Sequence, residues 1–159
     1  MEFHCSGRNL HDLVDASPWY AEDLTVGDWM ELGSIRVDLD EIIDFATKYD
    51  PLPIHVAGTD SPFGGVIASG MHTMALYSSL ASRVFMPRLA LIAGKGIDRL
   101  RLPAPVYPGR TLTGTIEIID NVGRAGRADI SHRSTMTDDR GAVVLSFTGV
   151  AVVASGNGA

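Results

Sequence analysis

The chain of 159 residues has a single cysteine, Cys5, so no intrachain disulfide can form and no cysteine pair is available to a metal. Positive charge is scarce as well. Thirteen Lys and Arg face 19 Asp and Glu, for a net charge of −6 and a pI of about 5.2. That balance argues against a basic stripe for phosphate backbones, and no nucleic-acid partner is expected. It does not forbid a small anionic ligand, for which two or three local Arg or Lys suffice. No window reaches the roughly eighteen uninterrupted apolar residues of a membrane helix, so no membrane partner is expected. Met1 to Leu13 carries polar and acidic residues where a secretory signal has an apolar core, and the expected location is cytoplasmic. Internal repeats and low-complexity linkers are also lacking, which leaves one domain of ordinary size.

What is present is an average globular composition, 45% hydrophobic and 20% charged, enough to bury a core without disulfides or metal. Residues 1–18 form a polar, poorly periodic extension ending in Ser17-Pro18, expected to be mobile or draped over the surface, with Cys5 an exposed thiol within it. The domain proper is read as residues 19–155. Trp29, Glu31, Gly33, Ile35 and Val37 alternate as in a half-buried strand. Asp38 or Asp40 then offers an N-cap to a helix carrying Leu39, Ile42, Ile43 and Ala46. That helix must end near Tyr49, because Pro51 disfavours helical geometry at Asp50. Ser69 to Phe85 reads as the longest helix, apolar almost all round and therefore buried. After Pro87 come strands at Ala90–Leu102, Thr111–Asp120, Ala128–Thr137 and Ala142–Ala154. Asn121-Val122-Gly123 and Asp138-Asp139-Arg140-Gly141 supply turns, making the last three strands an antiparallel meander. The class is α+β, a curved antiparallel sheet wrapped around one long helix.

Two stretches carry candidate chemistry. In Asp50-Pro51-Leu52-Pro53-Ile54-His55 a carboxylate and an imidazole can together hold one water, one group acting as base and the other orienting or donating. The prolines stiffen the connection. Fully extended, five residues would part the two Cα atoms by roughly 16 Å, so the chain must curl, most simply with Pro53 opening a helical turn. The structural alternative is that Asp50 caps a helix and His55 is a partly buried histidine with a backbone partner. The second stretch, Gly64-Gly65-Val66-Ile67-Ala68-Ser69-Gly70, leads into the long helix, whose free N–H groups and dipole suit a developing negative oxygen. An ordinary glycine-rich helix entry has the same pattern. His72 and Ser78 are read as core polar groups with backbone partners before catalytic ones. The basic residues Arg83, Arg88, Lys95, Arg99 and Arg101 are read as solvated surface before phosphate ligands.

Taken together, Tyr49 to His55 and Phe63-Gly64-Gly65-Val66-Ile67-Ala68-Ser69-Gly70-Met71-His72-Thr73 resemble the MaoC-like hydratase/dehydratase family, which includes the (R)-specific enoyl-CoA hydratases. Glu22 to Asp28 and Leu102-Pro103-Ala104-Pro105-Val106-Tyr107-Pro108-Gly109 extend the resemblance over about residues 20–153. It implies a hot-dog fold and a homodimer, or a dimer of related subunits, with an acyl-pantetheine tunnel at the interface. It implies Asp50 and His55 as the catalytic pair, holding the water that adds to or leaves C3 of the acyl chain. Gly70 is implied as the glycine whose N–H binds the thioester carbonyl. Ser78 falls on a serine found near the site in some members, and Ser69, His72 and Phe63 join it as candidate pocket residues. No metal and no cofactor beyond the acyl-CoA or acyl-carrier-protein thioester are implied.

Departures from the family pattern occur at Leu52, which replaces an asparagine, and at Ala57, which replaces an acidic residue. The segment from His55 to Phe63 is also short, and Arg110 replaces an aspartate. Two other activities stay open at this point: a hot-dog acyl-thioesterase, and an acyl-thioester-binding partner subunit of a heterodimeric dehydratase.

Overall fold

The computed structural model describes residues 7–13, 17–58 and 60–157. Cys5 lies outside the described residues. Alternating residues build five strands: β1 (Trp29–Arg36), β2 (Leu91–Arg101), β3 (Thr111–Arg124), β4 (Arg127–Asp138) and β5 (Val143–Ala154). They form one sheet in the order β1-β3-β4-β5-β2, with every neighbouring pair antiparallel. On β3 burial switches residue by residue, so that Leu112, Ile116 and Ile118 face inward between half-exposed neighbours. β1 is bulged between Glu31 and Gly33, and Gly33 adopts a φ of 85° that a side chain would strain.

Three helices accompany the sheet: α1 (Leu39–Tyr49), α2 (Pro53–Val56) and α3 (Gly70–Val84). Asp38 caps α1 by accepting from the N–H groups of Asp40 and Glu41, and the helix stops at Asp50, before Pro51, as the proline predicts. α3 packs into the concave face of the sheet through Leu76, Tyr77, Leu80 and Ala81, which share one core with Met30, Leu112, Ile116 and Leu145. Each such aliphatic side chain contributes about 1.5–3 kcal/mol on burial. A Cβ on Gly114 would stand 3.3 Å from Leu80 Cδ1, so the bare backbone there lets helix and sheet approach.

The structure differs from the sequence reading at three places. β3 runs straight through Asn121-Val122-Gly123, and the hairpin turns instead at Ala125-Gly126, with Gly126 at φ 70°. Asn121 is held in the strand because its side-chain amide donates to the carbonyls of Ala21 and Leu24, while a two-residue turn with a left-handed glycine matches strand twist. Second, α3 is not buried all round: Met71, Ala75, Ser78 and Ser82 form an exposed stripe at helical spacing. It lies beside β2, an edge strand exposed along nearly its whole length, including Leu91, Ile92 and Ile97. Third, the start of the chain is held over residues 7–13. Leu10 is fully buried, Asn9 bridges Trp29, and Arg8 donates to both carboxylate oxygens of Asp28 at 3.0 and 2.6 Å. Among the described residues no helix is long and apolar enough to cross a membrane.

Candidate active site

The curl required of the Asp50–His55 segment is present. Asp50 is the C-cap of α1, its N–H donating to the Ala46 carbonyl at 2.8 Å. Three residues on, Pro53 takes the first position of α2, where its missing N–H costs nothing. The single turn of α2 swings His55 back, leaving Nε2 3.5 Å from Asp50 Oδ2. Pro51 and Pro53 thus act through geometry: one ends a helix, the other begins the next.

Each member of the pair is oriented by a separate partner. The Ile67 carbonyl lies 2.8 Å from His55 Nδ1, so this nitrogen carries the proton and donates, and in the neutral ring Nε2 presents a lone pair towards Asp50. Ser69 Oγ donates to Asp50 Oδ2 at 2.7 Å. The same hydroxyl caps α3 by accepting from the Met71 N–H at 3.3 Å, so one buried serine ties the carboxylate to the start of the long helix. A separation of 3.5 Å exceeds a direct hydrogen bond, and both facing atoms are acceptors. A water molecule can donate one hydrogen to each and keep an oxygen lone pair for an electrophile.

A cavity of about 270 Å³ opens beside His55, lined among others by Phe63, Ile67, Gly70, Thr73 and Leu102. Gly70 is the first residue of α3 and has no protein acceptor for its N–H among the described residues, as expected of a helix start. A Cβ at this position would overlap Leu102 Cδ1, so any larger residue here would displace that side chain from the cavity wall.

The other candidates lie elsewhere. His72 is on the opposite side of α3, stacked on Phe45 at 4.8 Å between centroids, with Nε2 4.0 Å from Glu41 Oε1 and Nδ1 buried without a partner. Burial pushes its pKa down, and Glu41 opposes this only in part. Ser78 is exposed and lines a different cavity, with Tyr77, Ala81, His132 and Phe147. None of the five singled-out basic residues lines the cavity at His55; Lys95 is paired with Asp129 and Arg88 lies over the Trp19 ring. Sequence reasoning missed Ser69 as the partner of Asp50. Helix capping would have pointed to its hydroxyl, but not to a carboxylate 19 residues away.

The architecture has close counterparts among known proteins. A MaoC-like dehydratase from Rhodospirillum rubrum superposes with a TM-score of 0.80 at 34% identity, covering 86% of this chain and 97% of that one. An (R)-hydratase from A. caviae involved in PHA biosynthesis gives a TM-score of 0.66 at 25% identity, over 84% and 98% of the two chains. The protein YdeM of Bacillus subtilis (strain 168) is 30% identical over 102 residues, 62% of this chain and 72% of its own length. The MaoC-like domain family matches residues 25–139. The chain belongs to that family and has its hot-dog fold.

Proposed function

We propose that the protein is a hydro-lyase that interconverts a trans-2-enoyl thioester and the (R)-3-hydroxyacyl thioester, with Asp50 and His55 carrying the proton transfers. The observation that supports it most is the pair itself: two acceptor atoms 3.5 Å apart, each aimed by its own hydrogen bond, beside a cavity that His55 lines together with Gly70 and its free helix N–H. The thioester carbonyl accepts from the Gly70 N–H, which draws electron density from C3. A water held by Asp50 and His55 gives one proton to Asp50 while its oxygen bonds to C3. The electron pair of the double bond moves towards the carbonyl, and collapse of the enolate takes at C2 the proton that Asp50 received, so that one water has been added and Asp50 is a carboxylate again. Dehydration is the same path reversed. The carrier is CoA or an acyl carrier protein.

We also propose that the chain works as a dimer through β2. This strand presents an unpaired, partly apolar edge, and the exposed stripe Met71, Ala75, Ser78 and Ser82 borders it. An edge of that length is ordinarily paired or covered.

Both statements are tested with crotonyl-CoA, followed through loss of the enoyl-thioester absorbance, for wild type beside Asp50→Asn, with the mass in solution measured in parallel. Wild type is expected to consume the band as a dimer, and Asp50→Asn to lose about three orders of magnitude in kcat while remaining folded. Near-normal turnover by Asp50→Asn ends the assignment of Asp50. Release of free CoA from a saturated acyl-CoA identifies a thioesterase instead, and activity that appears only with a second chain identifies a partner subunit.

A further inference from the structure

A second cavity, also of about 270 Å³, lies along the same side of α3 as the site. At about 100° per residue, Gly70 and Thr73 on the first cavity and Met74, Tyr77, Ser78 and Ala81 on the second share one face of the helix. β2 runs antiparallel to α3 along this face. Leu102, just past its end, touches Gly70 at the site, while Leu91 at its start lines the far cavity with Met86. The two cavities follow one another along this face of α3, and from Gly70 to Ser78 the helix advances about 12 Å.

The far stretch is built differently from a plain apolar slot. Its sheet wall is bared by Gly94, Gly96 and Gly149. At its floor lies His132, with only 4% of its surface exposed. His132 Nδ1 is 2.9 Å from Ser134 Oγ, and Ser134 in turn accepts from the Tyr77 hydroxyl at 2.7 Å. Nε2 has no partner among the described residues, and the ring edge bearing Nε2 and Cε1 lies over Gly149, where a Cβ would overlap it. A buried imidazole with one nitrogen anchored and the other directed at a glycine-bared cavity is a hydrogen-bonding position left for a ligand.

We infer that this cavity receives the tail of the acyl group and that His132 Nε2 hydrogen-bonds an uncharged oxygen on it, so the protein selects acyl thioesters whose tails carry a hydroxyl or similar group far from the thioester. The inference rests on the proposed hydration reading for the identity of the thioester end. Burial pushes the His132 pKa down to about 4, so the ring is neutral at ordinary pH and has no charge with which to offset the burial of a carboxylate. A hydroxyl can pair with either tautomer, whereas a plain methyl end would leave Nε2 desolvated and unpaired.

The test is a binding measurement that does not depend on turnover. Titration calorimetry compares decanoyl-CoA with ω-hydroxydecanoyl-CoA on wild type, His132→Leu and His132→Gln, after thermal melts confirm that each variant is folded. Wild type is expected to bind the hydroxylated ligand about tenfold more tightly. His132→Leu should erase that preference and His132→Gln should restore part of it. Equal affinities for the two ligands in wild type overturn the inference, as does a preference that survives in His132→Leu. Crotonyl-CoA hydration by wild type is read separately: its absence sinks the hydration reading while the calorimetry still decides the fate of His132.

Discussion

Two histidines border the N-terminal half of α3 and are treated in opposite ways. His55 has one nitrogen fixed by the Ile67 carbonyl and the other turned towards Asp50 across a gap wide enough for shared water. His72 is equally buried, yet its Nδ1 finds no partner, its ring is spent on stacking with Phe45, and the nearest carboxylate is 4.0 Å away on an exposed glutamate. The difference teaches that burial and a nearby acid do not make an imidazole useful. A second anchor that fixes tautomer and ring direction does, because only then is one lone pair aimed at a fixed point. His132 repeats the anchored pattern, with Ser134 in place of a carbonyl.

Substitution of the two rings separates them most widely. His55→Gln should lower kcat on an enoyl thioester by about 10²- to 10⁴-fold. His72→Phe, which keeps the stacking and removes an unpartnered nitrogen, should leave kcat/KM within about threefold and Tm unchanged or raised. Similar losses of activity for the two would dissolve the contrast.

A smaller effect is expected at Ser69, which positions Asp50 rather than touching substrate. Ser69→Ala should lower kcat about tenfold with little change in KM, and should also cost about 1 kcal/mol through the lost helix cap. Ser69→Thr, which keeps the hydroxyl, should recover most of both. A loss of stability with kcat unaltered would reduce Ser69 to a cap alone.

The smallest effect is on stability against pH. His132 has its folded pKa pushed down to about 4 from an unfolded value of 6.5, by burial. A lowered histidine pKa means the unfolded chain takes up the proton first. The associated stability is therefore complete above pH 6.5 and is lost as pH falls from 6.5 to about 4. His72 is lowered in the same direction, by burial, and adds to the loss as pH falls below 6.5. Asp28 acts at lower pH. Burial works against its charge, but Arg8 and the Thr25 N–H hold it below the usual carboxylate value, and its contribution disappears as it protonates. Thermal melts from pH 7 to pH 4 should show a fall of several degrees for wild type, and a flatter curve for His132→Gln. An unchanged slope in the variant would mean that His132 is not the group titrating.

The elements themselves were legible in the chain because local rules decide them. Pro51 ends α1, Asp38 caps it, and alternating apolar residues along β3 announce a strand with one wet face. The curl between Asp50 and His55 was legible for the same reason, since Pro53 opens a helical turn most simply, whereas the choice of these two as a pair came from the family resemblance. The hairpin was misplaced at Asn121 because an amide that satisfies two carbonyls 97 and 100 residues away looks, in sequence, like a turn residue.

By itself the sequence determined the class of fold, the order of its elements and the turn that brings Asp50 and His55 together, all consequences of periodicity and proline geometry over a few residues, while the family resemblance singled those two out. The tertiary structure alone decided which polar groups have partners. Ser69 reaches Asp50, Ile67 orients His55, Gly149 makes room for His132, and His72 is left without a partner. Those outcomes depend on which residues the curved sheet and α3 bring within about 3 Å of one another, and a hydrogen bond acts only at that range, regardless of separation along the chain.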